Sequence, residues 1–171
     1  METLIAELAK KCRVLLETGD GVEGREKIAS LLTDVLSDPG NVEALVPETT
    51  RSRDLLYEDP ELGFCILAHN YTGPKSSSPH DHGPSWAIYA QARGETEMTD
   101  YELVVPATED VPGKVRAIRT YRLRPGDARV YEVGALHSPT RSGPTSLIRV
   151  EGTDLSKVKR LRFEVVGPGS A

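Results

Sequence analysis

The chain has 171 residues, with 21 Lys and Arg against 26 Asp and Glu, a net charge of −5 and 38% hydrophobic residues. That length supports one domain with its own apolar core, or a domain carrying a small helical appendage. The mild acidity argues against a phosphate backbone as the main partner, so nucleic acid is excluded as the principal ligand.

Cys12 and Cys65 lie far apart with no CxxC spacing, so nothing points to a disulfide scaffold, and a reducing compartment is the simpler context. Met1 to Ile5 lacks the basic lead of a secretory signal, and no apolar run is long enough to span a bilayer. The expectation is a soluble cytoplasmic protein, monomer or homodimer, with no membrane partner.

The N-terminal third reads as helical. Leu4, Ile5, Leu8, Cys12, Leu15 and Leu16 recur at helical spacing until Gly19-Asp20-Gly21 breaks the pattern. Ile28, Leu31, Leu32, Val35 and Leu36 mark a second apolar face, which Asp38-Pro39-Gly40 is expected to end. A short third helix is expected over 42–46, before Pro47. From about Arg51 the texture changes to short β-like runs broken by Gly and Pro. Strands are predicted over 64–71, 85–91, 95–105, 117–123, 128–133, 146–151 and 160–166. Such spacing suggests a closed barrel or double-sheet jelly roll rather than βαβ units. The division is therefore a helical segment over 1–50 packed on a barrel over 51–166, followed by a disordered tail over 167–171.

Three of the four histidines stand out. His80 and His82 form a His-x-His pair in Ser78-Pro-His-Asp-His-Gly83, and His137 closes the glycine-framed stretch that begins at Gly126. In an extended segment residues two apart point to one face, so His-x-His can aim both imidazoles at one ion. A third histidine from a distant strand completes one face of a coordination sphere suited to iron, copper, nickel or zinc, with positions left open for substrate.

Gly73 to His82 and Gly126 to His137 resemble the two cupin motifs. The first is one residue longer than usual between glycine and histidine, Gly94 stands at its closing glycine, and Glu132 stands where proline is common in the second. Within the cupins, residues from about Arg53 to Glu102 look most like the thiol dioxygenases of the cysteine dioxygenase type I group. The resemblance implies a mainly β fold, the cupin double-stranded β-helix (jelly-roll barrel) with N-terminal α-helices. Many cupins add a glutamate ligand four or five residues after the second histidine, but Trp86 and Ala87 occupy those positions here.

The implied centre is therefore three neutral histidines, His80, His82 and His137, the set those enzymes use for Fe(II), with Ni, Mn or Zn as other occupants. Such a centre leaves the ion's charge uncompensated and favours an anionic chelating substrate. By the same resemblance Arg53 clamps a substrate carboxylate, with Arg51 as a close competitor. The implied reaction is oxidation of a small thiol, cysteine or a 3-mercapto acid, to its sulfinate with O2.

The family's Ser-His-Tyr set is matched here by Ser146, Ile148 and Val150, and its crosslinked cysteine by Ala87. These departures keep two alternatives open, a three-histidine dioxygenase of dicarbonyl-type substrates and a non-catalytic cupin that binds a metal or small anion. Tyr89 and Gln91 share parity with Ala87 and are read as cavity residues that orient substrate, or as packing. His69 is read as a hydrogen-bonded structural residue, Asp81 as a turn residue, and Arg149 as a group standing above the metal or facing solvent.

Overall fold

A computed structural model describes residues 3–19 and 21–167. Three helices come first: α1 (Leu4–Thr18), α2 (Val22–Leu36) and α3 (Pro39–Leu45). Thr3 caps α1 by accepting from the Ala6 amide. Asp38-Pro39-Gly40 does more than stop α2. The Asp38 carboxylate accepts from the Gly40 amide and Pro39 opens α3, so the third helix begins before the predicted 42–46. Proline suits that first position because its missing N–H would have no helical partner there.

Ten strands follow: β1 (Asp54–Glu58), β2 (Cys65–Tyr71), β3 (Lys75–Ser76), β4 (Ala87–Arg93), β5 (Thr96–Val105), β6 (Gly113–Leu123), β7 (Ala128–Tyr131), β8 (Leu136–Arg141), β9 (Thr145–Glu151) and β10 (Phe163–Val165). They form two five-stranded sheets, ordered β1-β2-β9-β4-β7 and β10-β6-β5-β8-β3. The pairs β5–β6, β3–β8, β4–β7 and β2–β9 nest about the β5–β6 hairpin, each antiparallel. A long hairpin rolled on itself in this way is a jelly roll, the double-stranded β-helix of the cupins, here with helices in front of it.

Strands β1, β3 and β8 were not predicted. In β8, Pro139 cannot donate to a ladder, which hides a strand from sequence reading; it nonetheless lies opposite Met98 of β5, and its carbonyl accepts from the Ser77 amide. The expected 160–166 strand shortens to β10, which pairs in parallel with β6. The tail expected to be disordered lies, from residue 168, outside the described residues.

Two apolar layers follow from the alternation of side chains. Ile66, Ala68, Ile88, Ala90, Ile148 and Val150 point out of the first sheet onto Leu8, Cys12, Ile28 and Leu32 of the helices. The opposite faces of β4 and β9, with β7 beside them, line the interior with Ala87, Tyr89, Leu147 and Tyr131. A sheet covered on both sides explains why β2 and β4 read as continuous apolar runs. β5 and β6 expose one face, including Leu103, Val105 and Ile118. None of the described helices is long and apolar enough to cross a membrane.

Candidate metal centre

The jelly roll brings the two histidine motifs face to face. His80 and His137 form a backbone bridge in which each amide donates to the other's carbonyl at 3.0 Å, locking the His-x-His segment against β8. His80 is therefore an isolated bridge residue and His82 lies in the loop beyond it, not in a regular strand. Asp81 accepts from the Gly83 amide and Gly83 turns the chain with φ of 61°, a conformation that suits glycine.

The ligand atoms of His80, His82 and His137 all lie within 4.8 Å of one another, and among the described residues no carboxylate joins them. His82 and His137 are fully buried. His80 Nδ1 meets the Ser78 carbonyl at 2.8 Å and His137 Nδ1 meets the Ala135 carbonyl at 3.2 Å. A carbonyl only accepts, so both Nδ1 atoms carry protons and both Nε2 lone pairs remain free. His137 Nε2 is buried without a partner, as is His82 Nδ1, while His82 Nε2 lies 3.2 Å from the Tyr89 hydroxyl.

Burial first pushes all three histidines below their usual pKa; arginine charge adds to it at each, and neighbouring imidazoles add at His82 and His137. Neutral imidazoles with unsatisfied buried nitrogens fit a divalent transition metal. The structure contains no ion, and the fit rests on these donors.

Two tyrosines the sequence left in doubt or unmentioned close the interior side. Tyr89 is buried with its hydroxyl at His82, and Tyr131 packs its ring 4.2 Å, centroid to centroid, from that of His137. Tyr121 spends its one proton on Asp100, so Tyr131 donates to the Tyr121 hydroxyl at 2.9 Å. Burial raises the pKa of both Tyr89 and Tyr131, so both stay protonated.

On the open side lies a cavity of about 550 Å³ whose wall includes His80, Tyr89, Tyr71, Arg141, Arg149 and Arg160. Arg149 comes from the inward face of β9. Its guanidinium lies 4.3 Å over the Tyr89 ring, and its Nη2 is 2.7 Å from Glu151 Oε1.

The remaining expectations divide. Gln91 is buried but turned away from the cavity: its amide donates to the Arg93 and Gly94 carbonyls and its oxygen accepts from the Thr96 hydroxyl, fixing the β4–β5 turn. Arg53 is not placed as a carboxylate clamp. It pairs with Asp154 at 2.6 Å and lies 3.8 Å from Glu151, outside the cavity wall, because β1 sits at the sheet edge and its flanking residues meet the 151–155 segment. Arg51 pairs with Asp54 on the surface.

The register expected for the Ser-His-Tyr set also shifts. Ser146 donates to Asn70, and Ile148 and Val150 face the helices, so the inward positions of β9 are Leu147, Arg149 and Glu151. His69 shares the inward parity of β2 but stays outside the cluster, its Nδ1 donating to the Ser52 carbonyl at 2.8 Å. Arg141 was not foreseen. It lies four residues beyond His137 on the same strand face, a parity that could have marked it had Pro139 not masked the strand.

No protein-family model and no curated protein matches the chain. Among solved structures it is similar to KdgF from a Halomonas species, at 20% identity over 58% of this chain and 76% of that one, with a TM-score of 0.43. It is also similar to a cupin superfamily protein from Desulfitobacterium hafniense (13% identity, 60% and 76% covered, TM-score 0.42) and to the Cnp3 cupin domain of Schizosaccharomyces pombe (11%, 61% and 66%, TM-score 0.45). These neighbours are cupin superfamily proteins.

Proposed function

We propose that this protein is a metal-dependent cupin enzyme, an Fe(II) dioxygenase that oxidises a small acidic thiol to its sulfinate. The observation that carries the reading is the cluster of three neutral histidines, with no carboxylate ligand among the described residues, reaching an arginine-rich cavity through His80. When bound, the metal would supply a Lewis-acidic and redox-active centre at which thiolate and dioxygen meet.

The residues of the chain have separable roles in this reading. His80, His82 and His137 hold the ion, two of them oriented through Nδ1 by backbone carbonyls. The Tyr89 hydroxyl, next to His82, donates a hydrogen bond toward the reacting group. Arg149, stacked over the Tyr89 ring, places positive charge where the product gains oxygen atoms. Tyr131 and Leu147 exclude water from the inner side.

Purified protein reconstituted with Fe(II) and offered cysteine and 3-mercaptopropionate in an oxygen electrode should consume about one O2 per sulfinate formed. Equal consumption by metal-stripped protein, or none with any thiol, refutes the proposal. One observation favours a second reading. β9 presents Arg149 and Glu151 in place of the Ser-His-Tyr set, which suits polarising a dicarbonyl substrate. Oxygen uptake with a dicarbonyl acid and no turnover of thiols selects it.

A further inference from the structure

Arg141 is 4% exposed, and its buried Nε has no hydrogen-bond partner. Among the described residues no carboxylate lies within ion-pair distance of its guanidinium, which stands over the ring of Tyr71 at 4.6 Å. A guanidinium keeps its charge in proteins, so this is a buried cation compensated by little more than a ring quadrupole. Such a group is strongly destabilising unless something negative joins it.

Its surroundings do not supply that charge. Arg149 lies on the same cavity wall, and its partner Glu151 is shared with Arg53 and with the Leu155 amide. Glu164 lines the cavity but is paired with Lys114, and Arg160 adds further positive charge at the mouth. His80 borders the same space, so the two arginines and one edge of the histidine cluster line a single cavity.

We infer that the cavity takes a small acid with two anionic groups, one reaching the metal and the other, a carboxylate, seated against Arg141 and Arg149. The first half rests on the metal-centre reading; the second stands on the arginines alone. Planar guanidinium forks suit a bidentate carboxylate, and a doubly charged ligand neutralises both the bare Arg141 and part of the ion's charge. Arg141 and Arg149 thereby replace Arg53 as the residues that select for an acid.

The test is calorimetric titration of the full chain, loaded with Zn(II) and then stripped with EDTA, with malonate, succinate, propionate and inorganic phosphate as probes. In the loaded protein one of the dicarboxylates should bind at least about tenfold more tightly than propionate. After stripping, carboxylate binding should persist while that preference disappears. Arg141→Met should weaken binding about 30-fold or more in both forms, keep one Zn(II) per chain, and raise the ligand-free Tm by roughly 3 °C or more, since an unpaired buried charge has been removed.

Unchanged binding by Arg141→Met, or a lowered Tm with undiminished binding, overturns the subsite. Should Arg141→Met fail to fold, Arg149→Met and Arg160→Ala must show a graded loss, larger for the former; equal affinities overturn the assignment. Phosphate binding without carboxylate binding overturns the ligand class. Loss of metal uptake with Arg141-dependent binding intact refutes the metal half alone, which separates failure of this inference from failure of the centre.

Discussion

Acid should destabilise the metal-stripped protein steeply, because folding keeps its histidines neutral. His69 is held at a pKa of about 3, first by burial and then by the charge of Arg149, with Arg53 and Arg141 adding to it. His82 and His137 are pushed down by burial and by the neighbouring imidazoles. In the unfolded chain each titrates near the ordinary value of about 6.5.

The sign follows from proton counting. Below that value the unfolded state binds more protons than the folded one, so stability is complete above about pH 6.5 and falls as pH drops toward the folded values. Between pH 7.5 and 5.0 His69 alone contributes a loss of about 2 kcal/mol, and His82 and His137 add to it in the same direction. Half-buried His80 adds less, because solvent screens it. A domain is typically stable by about 5–15 kcal/mol, so a sizeable part of the margin is lost, with a Tm drop of at least about 5 °C.

Urea denaturation at half-unit pH steps measures the slope directly, and His69→Asn should make it shallower. Histidine ring resonances followed by NMR give the individual pKa values. A stability constant to within about 1 kcal/mol over this range, or resonances titrating near 6.5 in the folded protein, would refute the reasoning.

His137→Ala removes the ligand that bridges both motifs and should lower metal affinity by about a hundredfold or more, read by metal content after gel filtration; retention of one ion per chain counts against the cluster. Tyr89→Phe deletes the hydroxyl beside His82 and should leave metal content unchanged while slowing turnover about tenfold or more, with a stability change of about 1 kcal/mol in urea. Gly94→Ala should lower the Tm by several degrees. The position has φ of 67°, and a Cβ there would stand 2.3 Å from the Pro144 carbonyl oxygen. A Tm equal to that of the parent protein would show that the β4–β5 turn relaxes freely.

The helices and most strands were legible because their signals are local. A helical face such as Ile28, Leu32 and Leu36, or a run such as Phe64 to Ala68, carries its periodicity in neighbouring residues. The histidine motifs were legible for the same reason, since glycine-framed spacing is a property of short segments. Less could be read where a neighbour decides the outcome. Asp38-Pro39 ends one helix and starts another, and only the placement of α3 distinguishes the two roles.

The amino-acid sequence alone determined which residues could bind a metal and that two separate segments would have to meet to do it. Which charges attend that metal was decided only in three dimensions. Arg53 is drawn to Asp154, one step of register turns Ile148 outward and Arg149 inward, and Pro139 conceals the strand that carries Arg141 to the cavity. The physical reason is the two-residue period of a strand. A one-residue difference in pairing reverses every side chain, and that pairing is fixed by the partner strands rather than by the segment itself.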